Sequence, residues 1–199
     1  MNLPKTNSTL DSLPLCYYGH PALRMICADI LELTEEINIL SQQMIETMYV
    51  YNGIGLAGPQ VGRNVNIVVL DIPTDTKIDS RILGTSPGEI SLLPKMPLTL
   101  INPKLKEFST QEFPYSEGCL SIPGITADVM RPEYVHLEAK LLSGEKISFR
   151  CGGLLSRCLQ HECDHLKGVL FIDLLLTDTL KPLKRPLKLL EKNYRMSCV

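Results

Sequence analysis

A chain of 199 residues, 44% of them apolar, is long enough to bury a core and short enough to form one domain. Its formal charge of -2 excludes attraction to nucleic acid or to an acidic membrane through bulk charge. The apolar runs, Ile67 to Leu70 and Val169 to Ile172 among the longest, are far too short to cross a bilayer. The seven cysteines have an odd count and no repeated spacing, which fits free thiols in a reducing cytoplasm.

Residues 1–16 are polar, with one lysine and no continuous apolar core. They read as a loose lead-in to a domain over 17–199, and as neither an export signal nor a transit peptide. Thr34 is placed to cap a helix whose first turn holds Glu35 and Glu36. Ile37, Leu40, Met44 and Met48 follow at helical spacing, and Asn52-Gly53 should end the helix. That apolar stripe reads as core packing. GIGLAGPQ, Gly53 to Gln60, is a shaped loop in which the backbone turns tightly or approaches something closely. Asn64 to Asp71 reads as a buried strand, and Pro73 to Pro97 as mostly surface loop. Leu98 to Asn102 and Tyr134 to Leu141 read as strands. Ser143-Gly144 turns the chain into a partner strand over Glu145 to Arg150. Leu154 to Leu166 is predicted as a helix with Gly168 as its C-cap, and Val169 to Ile172 as extended. In the basic tail, Pro182 and Pro186 delay a regular helix until after Pro186. Short strands and three helices without regular interleaving predict an α+β fold with largely antiparallel pairing.

Within the second of these helices lies QHECDHLKG, Gln160 to Gly168. His161 and His165 stand four apart, so both imidazoles share one face and reach one ion. Glu162 lies about 100° around the helix, where it approaches a metal-bound water without ligating. This is the H-E-x-x-H arrangement of two ligands and a general base. A third ligand is needed, and spacing alone leaves it open. A histidine three residues after Gly168 is excluded, because that position is Phe171. Glu191, downstream in a basic segment, remains the choice a protease would make. His20 and His136 read as structural residues of a turn and a strand. Cys163 is on the wrong face of the helix. Cys158 is near enough to approach the site, although packing explains it more simply. Cys119, in SEGCLSIPG, follows a glycine in an irregular strand that can turn its sulfur outward.

GIGLAGPQ (Gly53 to Gln60), EGCLS (Glu117 to Ser121) and QHECDH (Gln160 to His165) together resemble the three signature motifs of the peptide deformylases, in order and in spacing. GHPALR, Gly19 to Arg24, resembles that family's usual N-terminal stretch, and the resemblance runs from about Tyr17 to Leu175. It implies antiparallel sheets wrapped around a central motif helix, with a C-terminal helix, in a single catalytic domain. It implies that Cys119, His161 and His165 ligate a metal and that Glu162 is the general acid and base. Gln60 and the backbone N–H of Leu120 would donate to the oxyanion. Gly55 would lie against the substrate backbone, and Ile54, Leu154, Arg157 and Cys158 would line the methionine pocket. The implied reaction is hydrolysis of the formyl group from N-formyl-methionine nascent peptides, releasing formate. The implied cofactor is one divalent ion, Fe2+ in the cell, with Zn2+, Ni2+ or Co2+ as substitutes. A cytoplasmic monomer or homodimer follows, with transient ribosome contact and neither membrane nor specific nucleic-acid binding. Gly58 stands where the family usually has alanine, and glycine's backbone freedom predicts a looser loop around Gln60.

Overall fold

The computed structural model describes residues 11–73 and 86–197. Helix α1, Glu35–Val50, is followed by strands β1, Gly55–Ala57, and β2, Ile67–Leu70. A short helix α2, Pro87–Leu92, precedes β3, Leu98–Lys106, β4, Glu112–Cys119, β5, Ile122–Pro132, β6, Val135–Lys140, and β7, Lys146–Cys151. Helices α3, Gly153–His165, α4, Thr177–Leu180, and α5, Lys184–Ser197, complete the chain. Among the described residues these strands pair antiparallel throughout: one sheet in the order β1-β2-β3-β6-β7, and a separate hairpin β4-β5.

The apolar run of β2 is explained by burial on both faces. Val68 and Leu70 pack in one cluster with Leu155, Cys158 and Leu159 of α3. Ile67 and Val69 pack in another with Met44 and Met48 of α1. The far side of α3 meets the hairpin. Gln160 Nε2 donates to the Pro132 carbonyl, Arg157 to that of Val129, and Asp164 pairs with Arg131. The motif helix is thus held between two sheets, with ten of its 13 residues buried. Among the described residues no helix is long and apolar enough to cross a membrane, and all six described cysteines are free.

Several sequence expectations need correction. The lead-in is anchored from Leu13 on: its N–H donates to Thr47 Oγ1, and Leu15 and Cys16 are buried. Thr34 occupies the N-cap of α1 but makes no side-chain cap bond. Of the expected 73–97 loop, residues 74–85 lie outside the described residues, while 87–95 is helical. There Ser86 and Glu89 satisfy each other's backbone N–H groups in a capping box. The β4-β5 hairpin was not expected, because Pro114, Pro123 and Pro132 interrupt its strand pattern. Phe171–Leu174 is a 3-10 turn rather than extended; the Asp173 carboxylate accepts the Leu170 N–H and caps it. Helix α5 begins at Lys184, with Pro186 in its first turn, where a missing N–H breaks no helical bond. Gly168 adopts φ +73° two residues beyond the capping Leu166, and a Cβ there would lie 2.7 Å from the Arg24 carbonyl oxygen.

Candidate active site

Helix α3 turns His161 and His165 to one side, with ring centroids 5.1 Å apart. Opposite them, Cys119 ends β4, where a register shift after Gly118 leads into the two-residue turn Leu120-Ser121. One donor atom from each of the three lies within 4.8 Å of the others. His165 Nε2 is 3.3 Å from Cys119 Sγ. Burial holds the His165 imidazole well below its usual pKa, which favours the neutral form a ligand needs. His161 turns Nδ1 to Glu117 Oε2 at 2.9 Å, leaving Nε2 for an ion. One thiolate and two imidazoles at this separation fit a tetrahedral divalent metal with its fourth position open.

Glu162 is 4% exposed, and its Oε2 is buried without a hydrogen-bond partner. Burial pushes its carboxyl up to about 7, although His161 pulls the other way. Gly55 makes room for it: a Cβ at that position would stand 2.5 Å from Glu162 Oε1 and 2.7 Å from Cys158 Sγ. Gln60 is 1% exposed, and its Oε1 accepts the Ala57 N–H at 2.8 Å. That bond orients the amide, so Nε2 points to Cys119 Sγ at 3.5 Å and Ser121 Oγ at 3.3 Å.

The expected looseness around Gln60 is not found. A Cβ on Gly58 would sit 2.5 Å from the Arg63 carbonyl oxygen and 2.7 Å from that of Val65. Glycine here lets two backbone segments close on each other, and the Arg63 N–H bonds the Gly58 carbonyl at 2.9 Å. Gly58→Ala should therefore destabilise the protein by about 1–3 kcal/mol, as overpacking does. An unchanged urea midpoint would refute this.

Of the expected site residues, all but His165 line one cavity of about 530 Å3: Ile54, Gly55, Gln60, Cys119, Leu120, Leu154, Arg157, Cys158, His161 and Glu162. His165 is buried and meets the cavity through its contact with Cys119 Sγ. Cys163 is buried and does not line the cavity. His20 accepts the Ala22 N–H, and His136 pairs with Ser148. Glu191 packs against Gly19, so the three-donor group does not include it.

Sequence reasoning missed Glu117, Tyr17 and Tyr51. Glu117 accepts from Arg131 at 2.6 and 3.0 Å and from Arg157 at 2.7 Å, besides meeting His161. Burial raises its pKa, but the bonds to His161 and Arg131 outweigh that and hold it at about 2. Its adjacency to Gly118-Cys119 was the available signal. Nothing in the local pattern around either tyrosine marks it as part of a cleft.

Three donors that could hold a metal ion, two of them lining a cavity, with a carboxylate next to the first histidine, are the arrangement of a metal-dependent hydrolase. The polypeptide deformylase family profile matches residues 12–181. The peptide deformylase of Salinibacter ruber is 43% identical over 176 residues, covering 88% of this chain and 87% of that one. That of Picosynechococcus sp. is 38% identical over 173 residues, covering 87% and 84%. Among solved structures, Arabidopsis thaliana peptide deformylase 1B superposes with a TM-score of 0.78 at 34% identity, covering 94% of each chain. The chain belongs to the peptide deformylase family, metal-dependent enzymes that hydrolyse the formyl group from the N-terminal formyl-methionine of new polypeptides.

Proposed function

We propose that Cys119, His161 and His165 hold one divalent ion through Sγ and two Nε2 atoms, and that Glu162 is the acid–base group of formyl hydrolysis. When bound, the ion supplies a Lewis acid and brings the pKa of a coordinated water toward about 7. Glu162 takes a proton from the attacking water. The formyl C–N bond breaks, formate leaves, and Glu162 returns the proton to the departing amine. Charge gathers on the formyl oxygen, which receives hydrogen bonds from Gln60 Nε2 and the Leu120 N–H. Each well-placed donor of this kind is worth about 3 kcal/mol. Long contacts to Sγ and Oγ leave the Gln60 amide ready to exchange them for an oxyanion. The methionine side chain enters the cavity beside Ile54, Leu154, Arg157 and Cys158, and Gly55 lies against its backbone.

The observation that carries this reading is the buried Glu162 carboxylate, with Oε2 unpartnered, set beside three donors and over a glycine that leaves it room. A mixed thiolate–imidazole set suits ferrous iron in a reducing cytoplasm, with zinc, nickel or cobalt as substitutes. Residues 17–199 act as one catalytic domain, working as a monomer or homodimer with at most transient ribosome contact. Anaerobically purified protein of measured metal content should release formate from a formyl-Met tripeptide. Chelation should abolish the release, and the metal should restore it. A fully loaded protein that releases none refutes the proposal.

A further inference from the structure

The cavity is larger than a methionine side chain requires. At about 530 Å3 it falls within the range that encloses a whole small ligand. Its outer wall carries Tyr17 and Tyr51. The two rings come from different elements, one from the segment ahead of Gly19 and one from the C-cap of α1. They are 36% and 37% exposed, and burial together with the neighbouring Tyr51 hydroxyl raises the Tyr17 pKa.

Tyr17 is not a loose surface residue. The Cys16 N–H donates to the Gln60 carbonyl and the Tyr18 N–H to the Ser121 carbonyl, both at 2.8 Å. Residues 16–18 thus strap together the two loops that carry the oxyanion donors. Cys16 and Tyr18 pack into the cluster around Phe171 and Ile122, and Tyr17 between them is turned to the cleft. Tyr51 is fixed by the closing turn of α1, where its N–H meets the Thr47 carbonyl and the Gly53 N–H meets that of Met48. The outer wall they share with Leu120 and Pro123 is neutral. The charged residues lining the cavity, Glu117, Arg157 and Glu162, are at most 6% exposed.

We propose that Tyr17 and Tyr51 determine specificity for the residue that follows formyl-methionine, their ring faces taking an apolar or aromatic side chain. An acidic side chain finds no exposed cation on that wall. The proposal rests on the deformylase reading and adds a selectivity to it.

The test is kcat/KM of the metal-loaded full chain for formyl-Met-Phe, formyl-Met-Ala and formyl-Met-Asp peptides, in wild type, Tyr17→Ala, Tyr51→Ala and Tyr17→Phe. Wild type should prefer Phe to Ala about fivefold, the scale of one aromatic contact, with Asp the poorest substrate. Each alanine variant should bring the Phe-to-Ala ratio close to one, and Tyr17→Phe, which keeps the ring, should retain it. Loss of fold lowers all substrates together and does not move the ratio. A wild-type ratio near one, a ratio unchanged in both alanine variants, or a Tyr17→Phe ratio as low as that of Tyr17→Ala overturns the proposal. Failure of wild type to release formate from every peptide would count against the deformylase reading instead.

Discussion

Glu162→Gln is expected to lower kcat by about a hundred- to ten-thousand-fold, the usual worth of a positioned acid–base group. Metal content should stay at the wild-type level, because Glu162 lies outside the three-donor group. Glutamine keeps the shape, so Gly55 still accommodates the side chain. Stability should hold or rise, since the substitution removes an ionisable group that is 4% exposed with an unpaired Oε2. The combination of intact metal, intact fold and lost turnover is what separates an acid–base role from a structural one. Turnover within about tenfold of wild type would leave water activation to another group. Parallel loss of metal and activity would make Glu162 a ligand. Metal analysis of the purified variant beside a formate-release assay distinguishes these results.

The parts of the site that were legible in the sequence are those fixed by local geometry. His161, Glu162 and His165 belong to one helix, so the 3.6-residue period alone relates them. The β6-β7 hairpin was legible because Ser143-Gly144 joins two alternating runs. The third member of the three-donor group was not legible from spacing, because 41 intervening residues separate Cys119 from the next donor in the chain. Only the β4-β5 hairpin, folded across α3, brings it home, and the prolines of that hairpin hide its strands. Gly58 misled for a related reason. In the sequence a glycine reads as freedom, but its meaning depends on the carbonyls of Arg63 and Val65, whose approach no local pattern announces. Tyr17 depends on backbone bonds to Gln60 and Ser121, which side-chain identity does not encode.

Glu117→Gln should damage fold and metal site together. Glu117 is 6% exposed and faces three cationic or ring N–H partners: Arg131, Arg157 and His161. Arg131 keeps Asp164 at 2.7 Å when Glu117 is neutralised, but Arg157 has no other carboxylate among its hydrogen bonds. It retains the carbonyls of Val129 and Phe113 and the faces of Phe113 and Tyr115. Removing one partner of a buried ion pair costs about 3–5 kcal/mol, because the charge left behind is uncompensated. Urea unfolding of the metal-free protein reads that loss without interference from the ion. The second effect is local to the ligand. Without the carboxylate at Nδ1, the His161 ring loses the contact that fixes its tautomer and direction, and metal affinity should fall about 10- to 100-fold. Competition with a chromophoric chelator measures this on the fraction that stays folded. A less stable protein with undiminished affinity would confine Glu117 to holding α3 against the hairpin. A drop in both means that the same carboxylate secures the helix and aims its first histidine. The cost of burying it would then belong to the metal site as well as to the fold.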